Sequence, residues 1–192
     1  MNNRTEIILC VDRSGSMRSI AADMEGGLQT LVAEQAALPG ECTITYCRFD
    51  SQYEEVFVGR PANEVALSDL RIDPRGPTAL LDAMARTIDD AVARHEKLDS
   101  TEVPSKVLLV VITDGQENAS RNVTHAAVLE RVTACKAKGW DVLFLGANQD
   151  SISVGATLGV SAASSMDFQS TTRGVRKMSE RASSYATTYR ST

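Results

Sequence analysis

Residues 106–113 read KVLLVVIT and are followed at once by Asp114 and Gly115. This is the most continuous apolar run in the chain. A strand that is apolar on both faces lies in the middle of a sheet that helices cover on both sides. The stretch therefore predicts a layered α/β fold, and it places an acidic residue at the end of a central strand.

The rest of the chain alternates strand-like and helix-like patterns around that run. Residues 5–11 (TEIILCV) and 141–145 (DVLFL) are short apolar runs bounded by turn formers, as buried parallel strands are. Apolar residues at steps of three and four predict helices over 17–38, 78–98 and 123–138. This alternation predicts a doubly wound, mostly parallel central sheet with helices on both faces.

A hairpin interrupts the alternation between the first two helical patterns. The strand-like runs 42–49 and 52–58 are separated only by Asp50 and Ser51, a connection too short for a crossover, so the two strands are antiparallel. We expect the second strand at a sheet edge. The segment 59–77 that follows contains three prolines and two glycines, which predicts an exposed loop with at most one helical turn around 65–70.

The C-terminal quarter has weaker patterns and one strong one. A short helix near 151–158 and a brief strand near 161–166 continue the alternation. Residues 172–190 then place apolar side chains at steps of three and four, which predicts an amphipathic helix packed on the sheet as its last cover. With no internal repeat and no low-complexity linker, residues 1–192 are interpreted as one domain with a core of about 5–166.

Composition narrows the classes of partner. The 192 residues are 43% hydrophobic and 23% charged, and the formal net charge is −5. An acidic chain lacks a broad attraction to phosphate backbones or anionic lipid, so we expect neither nucleic acid nor membrane as a partner. The apolar run beginning at Ile7 is too short for a signal peptide or a membrane span, which predicts a cytoplasmic protein. The four cysteines lack metal-site spacing, and Cys10, Cys42 and Cys47, which fall in strand-like runs, are expected to be small buried hydrophobes.

Polar motifs follow two of the predicted strands. Asp12-Arg13-Ser14-Gly15-Ser16 comes after the first strand, and Thr113-Asp114-Gly115 comes after the central one. In open parallel sheets, ligands bind beyond the carboxyl ends of the strands, where successive connections pass to opposite faces. A right-handed winding that sets these two strands side by side brings both loops to that point.

These two motifs, together with a third around Thr78, resemble the metal-ion-dependent adhesion site of von Willebrand factor A domains. The matching motifs are Asp12-x-Ser14-x-Ser16, Gly76-Pro77-Thr78-Ala79-Leu80-Leu81-Asp82-Ala83 and Thr113-Asp114-Gly115. The resemblance runs from about residue 5 to about residue 166. Its five ligand positions are filled by Asp12, Ser14, Ser16, Thr78 and Asp114. Arg75 and Pro77 depart from the family pattern, in which a second Gly or Asn often adjoins Gly76.

The resemblance implies the roles of the five ligands. Ser14 and Ser16 would bind a cation directly through their hydroxyls, whereas Asp12, Thr78 and Asp114 would bind it directly or through water. Mg²⁺ is the expected ion, with Mn²⁺ or Ca²⁺ as alternatives, because a hard cation takes oxygen ligands and keeps waters readily. Two carboxylates only just balance the charge of the ion, which leaves it electrophilic towards one more anionic oxygen.

A partner's Asp or Glu would supply that oxygen. Short intracellular members of the family, of bacterial or phage-associated type, imply a non-enzymatic role in the assembly or regulation of a multiprotein system. The sequence does not specify the oligomeric state. The loops and helix starts at the same end of the sheet are expected to form a rim around the site: Arg13, Met17, Arg18, Arg75, Gln116, Glu117, Asn118, Asn148 and Asp150.

Other readings of the same residues stay open. Asp12 and Asp114 are also common helix caps and turn formers, and the loops of a structural subunit pack without metal. Asp12 at the end of a first strand would suit a Mg²⁺-dependent phosphatase of the haloacid dehalogenase type, but Ser14 stands where that type has a second Asp. A nucleotide-binding module is disfavoured because the chain has no GxGxxG after its first strand and no GxxxxGK[ST].

Overall fold

The computed structural model describes residues 4–147 and 150–192. Within this part of the chain, six strands form one sheet: Arg4–Asp12 (β1), Glu41–Phe49 (β2), Tyr53–Pro61 (β3), Lys106–Thr113 (β4), Asp141–Ala147 (β5) and Ser165–Phe168 (β6). The same residues contain five α-helices: Ala21–Ala37 (α1), Leu80–His95 (α2), His125–Ala137 (α3), Ser151–Thr157 (α4) and Thr172–Ser191 (α5).

The strand order is β3-β2-β1-β4-β5-β6. Every neighbouring pair is parallel except β2 and β3, which form the predicted antiparallel hairpin at one edge. This arrangement confirms the doubly wound, mostly parallel sheet with one antiparallel edge strand. In the β1–β4 pair, Val11 lies opposite Ile112, so the strands end side by side at Asp12 and Thr113.

The central strand β4 contributes side chains to two hydrophobic cores. Leu108, Val110 and Ile112 face α1 and α5, whereas the alternate residues face α2, α3 and α4. This explains why the run is apolar throughout, because neither face of the strand meets solvent. The amphipathic helix α5 places Val175 and Ala182 in the first core, which confirms that the C-terminal helix covers the sheet.

Much of the segment 59–77 is exposed, as its prolines and glycines predict, but part of it is regular and part is buried. β3 continues to Pro61, two short 3-10 helices follow at Ala62–Glu64 and Leu67–Asp69, and Leu70 and Ile72 are fully buried. The 3-10 helix at Leu67–Asp69 matches the turn predicted around 65–70, whereas the burial of Leu70 and Ile72 was not predicted, because prolines and glycines exclude a long helix but not burial. The segment covers the apolar face of β2 beside α1, and the hydroxyl of Tyr46 donates to the carbonyl of Arg71 at 2.8 Å.

Two element boundaries also differ from the predicted ones. The first helical pattern opens with a 3-10 helix at Gly15–Ser19, and the α-helix begins only at Ala21. The brief strand predicted near 161–166 starts at Ser165, after a 3-10 turn at Ala162–Ser164. None of the helices in the described ranges combines the length and the apolar character needed to cross a membrane.

Candidate metal centre

Asp12 closes β1 and is fully buried at the carboxyl end of the sheet. Its Oδ1 accepts a hydrogen bond from the backbone N–H of Ser14 at 2.6 Å, and its Oδ2 accepts one from the hydroxyl of Thr113 at 2.6 Å. Thr113 is the last residue of β4. The two central strands are therefore joined through this carboxylate at the point where both end.

A chain of polar side chains leads from this point to Asp114. The hydroxyls of Ser14 and Ser16 lie 3.0 Å apart, and Ser16 donates to Oδ1 of Asp114 at 2.6 Å. The 3-10 helix at Gly15–Ser19 turns the backbone so that Ser16 faces the loop after β4. Residues 98 positions apart in the sequence thus meet because β1 and β4 are neighbours.

Thr78 reaches the same place from the loop before α2, and it is buried. Its backbone N–H donates to Oδ1 of Asn118 at 3.0 Å, and its carbonyl accepts from the N–H groups of Asn118 and Ala119, both at 3.1 Å. Gly76, with φ +66°, accepts from the N–H of Gly15 at 2.9 Å. The threonine loop is therefore tied to the serine loop and to the loop after β4.

Gly115 marks the point on which the oxygens converge. A Cβ at this position would lie 3.0 Å from Oγ1 of Thr78, 3.6 Å from Oγ of Ser16 and 3.9 Å from Oδ2 of Asp12. Only glycine leaves this space open. Hydroxyl and carboxylate oxygens from three segments thus surround one small cradle, and such a donor set suits a hard divalent cation.

The electrostatics of the cradle favour a cation. Burial raises the pKa of Asp12 to about 6 despite hydrogen bonds from Thr113 and Ser14, and burial also raises the pKa of Asp114. Across the described residues, neither carboxylate takes part in an ion pair. The nearby Arg13 pairs with Glu54 instead, at 2.6 Å. The two carboxylates therefore lack the positive charge that a bound ion would supply.

The donor chemistry also limits which metals fit. Within 4–147 and 150–192, no three Cys, His, Asp or Glu side chains gather into a cluster that could hold a metal. A cation at the cradle must therefore rely on the hydroxyls of Ser14, Ser16 and Thr78 beside two carboxylates. Neutral hydroxyl oxygens suit Mg²⁺, Mn²⁺ and Ca²⁺ better than softer ions that select sulfur ligands.

Comparison with known proteins supports the fold. No protein-family model and no curated protein sequence matches the chain. Among solved structures, proximal thread matrix protein 1 from the mussel byssus with a zinc-occupied MIDAS motif matches at TM-score 0.67 and 18% identity, over 95% of this chain and 46% of that chain. A von Willebrand factor type A protein from Catenulispora acidiphila matches at TM-score 0.61 and 14% identity, over 94% of this chain and 42% of that one. The chain has the von Willebrand factor A fold.

A third solved structure matches over a smaller part of this chain. Manganese-loaded TRAP protein from Plasmodium vivax matches at TM-score 0.57 and 19% identity, over 76% of this chain and 57% of that chain. The present chain thus spans about half the length of these structures. Identities below 20% establish the shared A fold and nothing finer.

The A fold brings the five predicted ligands to one place. Asp12, Ser14, Ser16 and Asp114 form the polar chain described above, and the Oγ1 of Thr78 lies on the other side of the cradle. The assignment of these side chains as metal ligands stays a prediction.

The predicted rim is only partly correct. Met17 is fully buried in the core beneath the serine loop, and Arg13 is buried because its guanidinium turns towards Glu54 on β3. The prediction for Asn148 lies outside the described residues. Five rim residues are exposed: Arg18, Arg75, Gln116, Asn118 and Asp150.

Sequence reasoning missed a set of contacts between the loop after β4 and the start of α2, which we call the clasp. Glu117 accepts hydrogen bonds from the N–H of Leu81 at 3.0 Å and from the N–H of Ser120 at 2.7 Å. Asp82 accepts from three successive N–H groups, those of residues 121–123, at 2.9–3.0 Å. The clasp holds the start of α2, which follows the threonine loop, against the loop after β4.

A signal for the clasp exists in the sequence. The residue before α2 is Ala79, whose side chain cannot cap a helix, so the first N–H groups of α2 need acceptors from elsewhere. Glu117 accepts from the N–H of Leu81 and the hydroxyl of Ser120 accepts from the N–H of Asp82, across separations of 36 and 38 residues. Pattern reading finds caps only within a few residues of the helix start.

Proposed function

We propose that the chain is a divalent-cation-dependent protein-binding module. Asp12, Ser14, Ser16, Thr78 and Asp114 hold Mg²⁺, with Mn²⁺ or Ca²⁺ as alternatives, and the bound ion accepts an Asp or Glu carboxylate of a protein partner. The observation that carries this proposal is the cradle at Gly115, on which oxygens of Thr78, Ser16 and Asp12 converge.

The burial of the predicted ligands supports the approach of a partner's carboxylate from one side of the cradle. Asp12, Ser14 and Thr78 are buried, whereas Ser16 and the backbone at Gly76 are exposed. Buried carboxylates hold their charge at the base of the cradle, and the exposed side is open to a partner. A carboxylate arriving there meets a site whose own two negative charges are directed inwards.

Structures that share the fold add support by analogy. One of them has a zinc-occupied MIDAS motif, and another is manganese-loaded. A third is the pilus adhesin SpaC from Lactobacillus rhamnosus GG, which matches at TM-score 0.68 and 16% identity over 94% of this chain and 30% of that chain. Metal binding and adhesion in these proteins are consistent with metal-dependent capture of a partner here.

We also infer a non-enzymatic role inside the cell, in the assembly or regulation of a multiprotein system. Ser14 stands where a phosphatase of the haloacid dehalogenase type has a second Asp, so we assign Asp12 to the cation and not to a phosphoryl group. The four cysteines are free and buried, as suits a reducing compartment. Turnover of a generic aryl phosphate that is lost in Asp12→Asn would contradict the non-enzymatic part of this proposal.

Water proton relaxation of the Mn²⁺-loaded protein tests the proposal directly. One Mn²⁺ per chain should raise the relaxation rate, because the bound ion keeps exchangeable waters. Glutarate, a small dicarboxylate, should then lower the rate by taking a water position, whereas glutaramide at the same concentration should not. Stoichiometric Mn²⁺ binding with no response to glutarate would leave a cation site that does not capture carboxylates, and the proposal would fail.

A further inference from the structure

A cavity of about 230 Å³ lies at the end of the sheet opposite the metal centre. It is bounded by the last turn of α2, by the segment that leads into β4 and by the residues between α3 and β5. Its apolar walls include Val92, Pro104 and Val107, and the rings of His95 and Trp140 complete its lining. Because a cavity of about 150 Å³ accommodates benzene, this one has room for a planar molecule of two fused rings.

The buried cluster around Glu6 fixes the orientation of His95. His95 is only 9% exposed, and its Nε2 lies 2.6 Å from Oε2 of Glu6. Arg94 donates to both carboxylate oxygens of Glu6, and this pair balances the buried negative charge by itself. A neutral imidazole keeps the cluster free of net charge, with its one proton on Nε2 and donated to Glu6. The lone pair of Nδ1 is then left as a hydrogen-bond acceptor.

Nδ1 of His95 has no partner within the protein. No group in residues 4–147 and 150–192 forms a hydrogen bond with it, and it does not belong to the fully buried atoms that lack a partner. Glu6 closes off the Nε2 side of the ring, whereas the rest of the ring lines the cavity. The acceptor is therefore accessible from the cavity.

The indole N–H of Trp140 is a second polar group without a partner. Trp140 is also 9% exposed, and its ring meets that of His95 edge to face, with the centroids 5.5 Å apart. In the part of the chain that the structure describes, nothing accepts from its Nε1, which is not fully buried either. A largely buried tryptophan normally has an acceptor for this N–H. The lining thus offers one acceptor and one donor beside apolar walls.

The charges around the cavity cancel. Its lining contains one carboxylate, that of Glu96, and one ammonium group, that of Lys138, and both side chains are exposed. Behind His95, the charge of Glu6 is balanced by Arg94. The cavity therefore attracts neither an anion nor a cation, and the polar atoms of His95 and Trp140 select among uncharged molecules.

We propose that this cavity binds a small, uncharged heteroaromatic molecule that carries both a ring N–H and a ring nitrogen acceptor. The N–H of the ligand donates to Nδ1 of His95, its acceptor nitrogen receives the indole N–H of Trp140, and the apolar walls cover its faces. This inference is independent of the proposed function, because the cavity and the metal centre lie at opposite ends of the sheet.

Fluorine NMR of protein labelled with 5-fluorotryptophan tests this inference, because Trp140 is the only tryptophan in the chain and gives a single resonance. The probe is benzimidazole, which has both groups and is uncharged in mildly alkaline buffer, and EDTA removes any contribution of the metal centre. We expect a saturable shift of the resonance. 1-Methylbenzimidazole, which lacks the donor, and indole, which lacks the acceptor, should each bind about fivefold more weakly.

The variant His95→Phe assigns the acceptor, because it removes Nδ1 and keeps an aromatic ring beside Trp140. Once thermal unfolding has shown that it is folded, it should bind benzimidazole and 1-methylbenzimidazole equally. His125→Phe makes the same substitution at the exposed start of α3 and should keep the preference for benzimidazole. The three compounds are compared on the wild type as well, so the test does not depend on the folding of a variant.

Three results would each overturn the inference. The first is a resonance that does not move up to the solubility limit of benzimidazole. The second is a wild type that binds benzimidazole no more tightly than 1-methylbenzimidazole or indole. The third is a folded His95→Phe variant that keeps the full preference for benzimidazole over its methylated form.

Discussion

Gly115 shapes the candidate metal centre through the side chain that it lacks. The nearest oxygen, Oγ1 of Thr78, lies 3.0 Å from where a Cβ would stand, which is closer than side chains normally approach. A methyl group here would enter the space that the ligands leave for an ion. The effect is local, because the glycine lies in a loop at the end of β4.

Gly115→Ala should therefore weaken Mg²⁺ binding at least tenfold while the protein stays folded. The matched control is Gly26→Ala, a position in α1 where a Cβ meets no atom within 4 Å. That control should raise the free energy of unfolding by about 0.5–1 kcal/mol through helix propensity. Calorimetric titration and thermal unfolding of both variants check this. Equal metal affinity in Gly115→Ala and wild type would contradict the cradle.

The burial of Asp12 should give the metal-free protein an unusual dependence of its free energy of unfolding on pH. Its pKa in the native protein is about 6, raised by burial above the ordinary 3.8, so the metal-free native state is stabilised by protonation. This contribution is fully present below the unfolded pKa and is lost as pH rises through 6. Removing the charge should therefore stabilise the metal-free protein at neutral pH.

The comparison of Asp12→Asn with wild type in EDTA isolates that effect. At pH 7 the variant should be more stable, by an amount on the order of 3 kcal/mol. The difference should shrink as pH falls from 6 to 4. Urea unfolding at several pH values measures it, and a variant that is less stable than wild type at pH 7 would contradict the account. Saturating Mg²⁺ should reverse the order by stabilising only the wild type.

The elements of the fold were predictable where a local pattern carries the information. The runs 5–11 and 106–113 are apolar because both faces of β1 and β4 are covered, and the hairpin followed from its two-residue connection. The burial of Leu70 and Ile72 was not predictable, because it depends on apolar surface left uncovered by a distant strand and helix.

The clasp escaped prediction for a similar reason. Glu117 caps α2 from another segment, so no spacing within either segment reveals the pairing. The five ligand positions were nameable from motif spacing, whereas the backbone support around them needed the tertiary structure. Met17 illustrates the opposite failure, since its place in a polar motif suggested the rim but its side chain completes the core.

Truncation of Glu117 should show whether the clasp contributes to Mg²⁺ binding although Glu117 is not itself a predicted ligand. Glu117→Ala removes four accepted hydrogen bonds, including that from Leu81, and should cost about 1–2 kcal/mol of stability and weaken Mg²⁺ binding. Glu117→Gln, which keeps an acceptor oxygen, should recover part of both. Thr124→Ala is the control because Thr124 caps α3 by accepting from Ala127.

The control should lose stability of about 1 kcal/mol without a change in Mg²⁺ affinity. Thermal unfolding and calorimetric titration are compared for all three variants. If Glu117→Ala and Thr124→Ala lower stability alike and neither alters metal affinity, the clasp supports only the helix.

Across the whole molecule, a buried ionic cluster lies at the end of the sheet opposite the metal centre. Glu6 near the start of β1 is fully buried and accepts from Thr45 at 2.5 Å, from Arg94 at 2.7 Å and from His95, whose Nε2 lies at 2.6 Å. Burial alone would raise the pKa of Glu6, but the hydrogen bonds from His95, Arg94 and Thr45 outweigh it and lower the pKa.

Glu6→Gln should therefore destabilise the protein without touching metal binding. It leaves Arg94 unpaired beside a buried amide, a change that typically costs about 3–5 kcal/mol. Because the native pKa is lowered, the stabilisation by Glu6 is present above its unfolded pKa and is lost as pH falls through the native value. Urea unfolding checks the stability, and a change in Mg²⁺ affinity in the folded variant would contradict the independence of the two ends.

A calorimetric titration of chelator-treated protein with Mg²⁺, run beside Asp114→Asn and repeated with Mn²⁺, determines whether the carboxyl ends of β1 and β4 bind a cation. Thermal unfolding first establishes that the variant is folded. We expect saturable binding of one ion per chain in the wild type and its loss in the variant. Absence of binding at millimolar cation, or equal binding in Asp114→Asn, would contradict a metal centre at the carboxyl ends of β1 and β4.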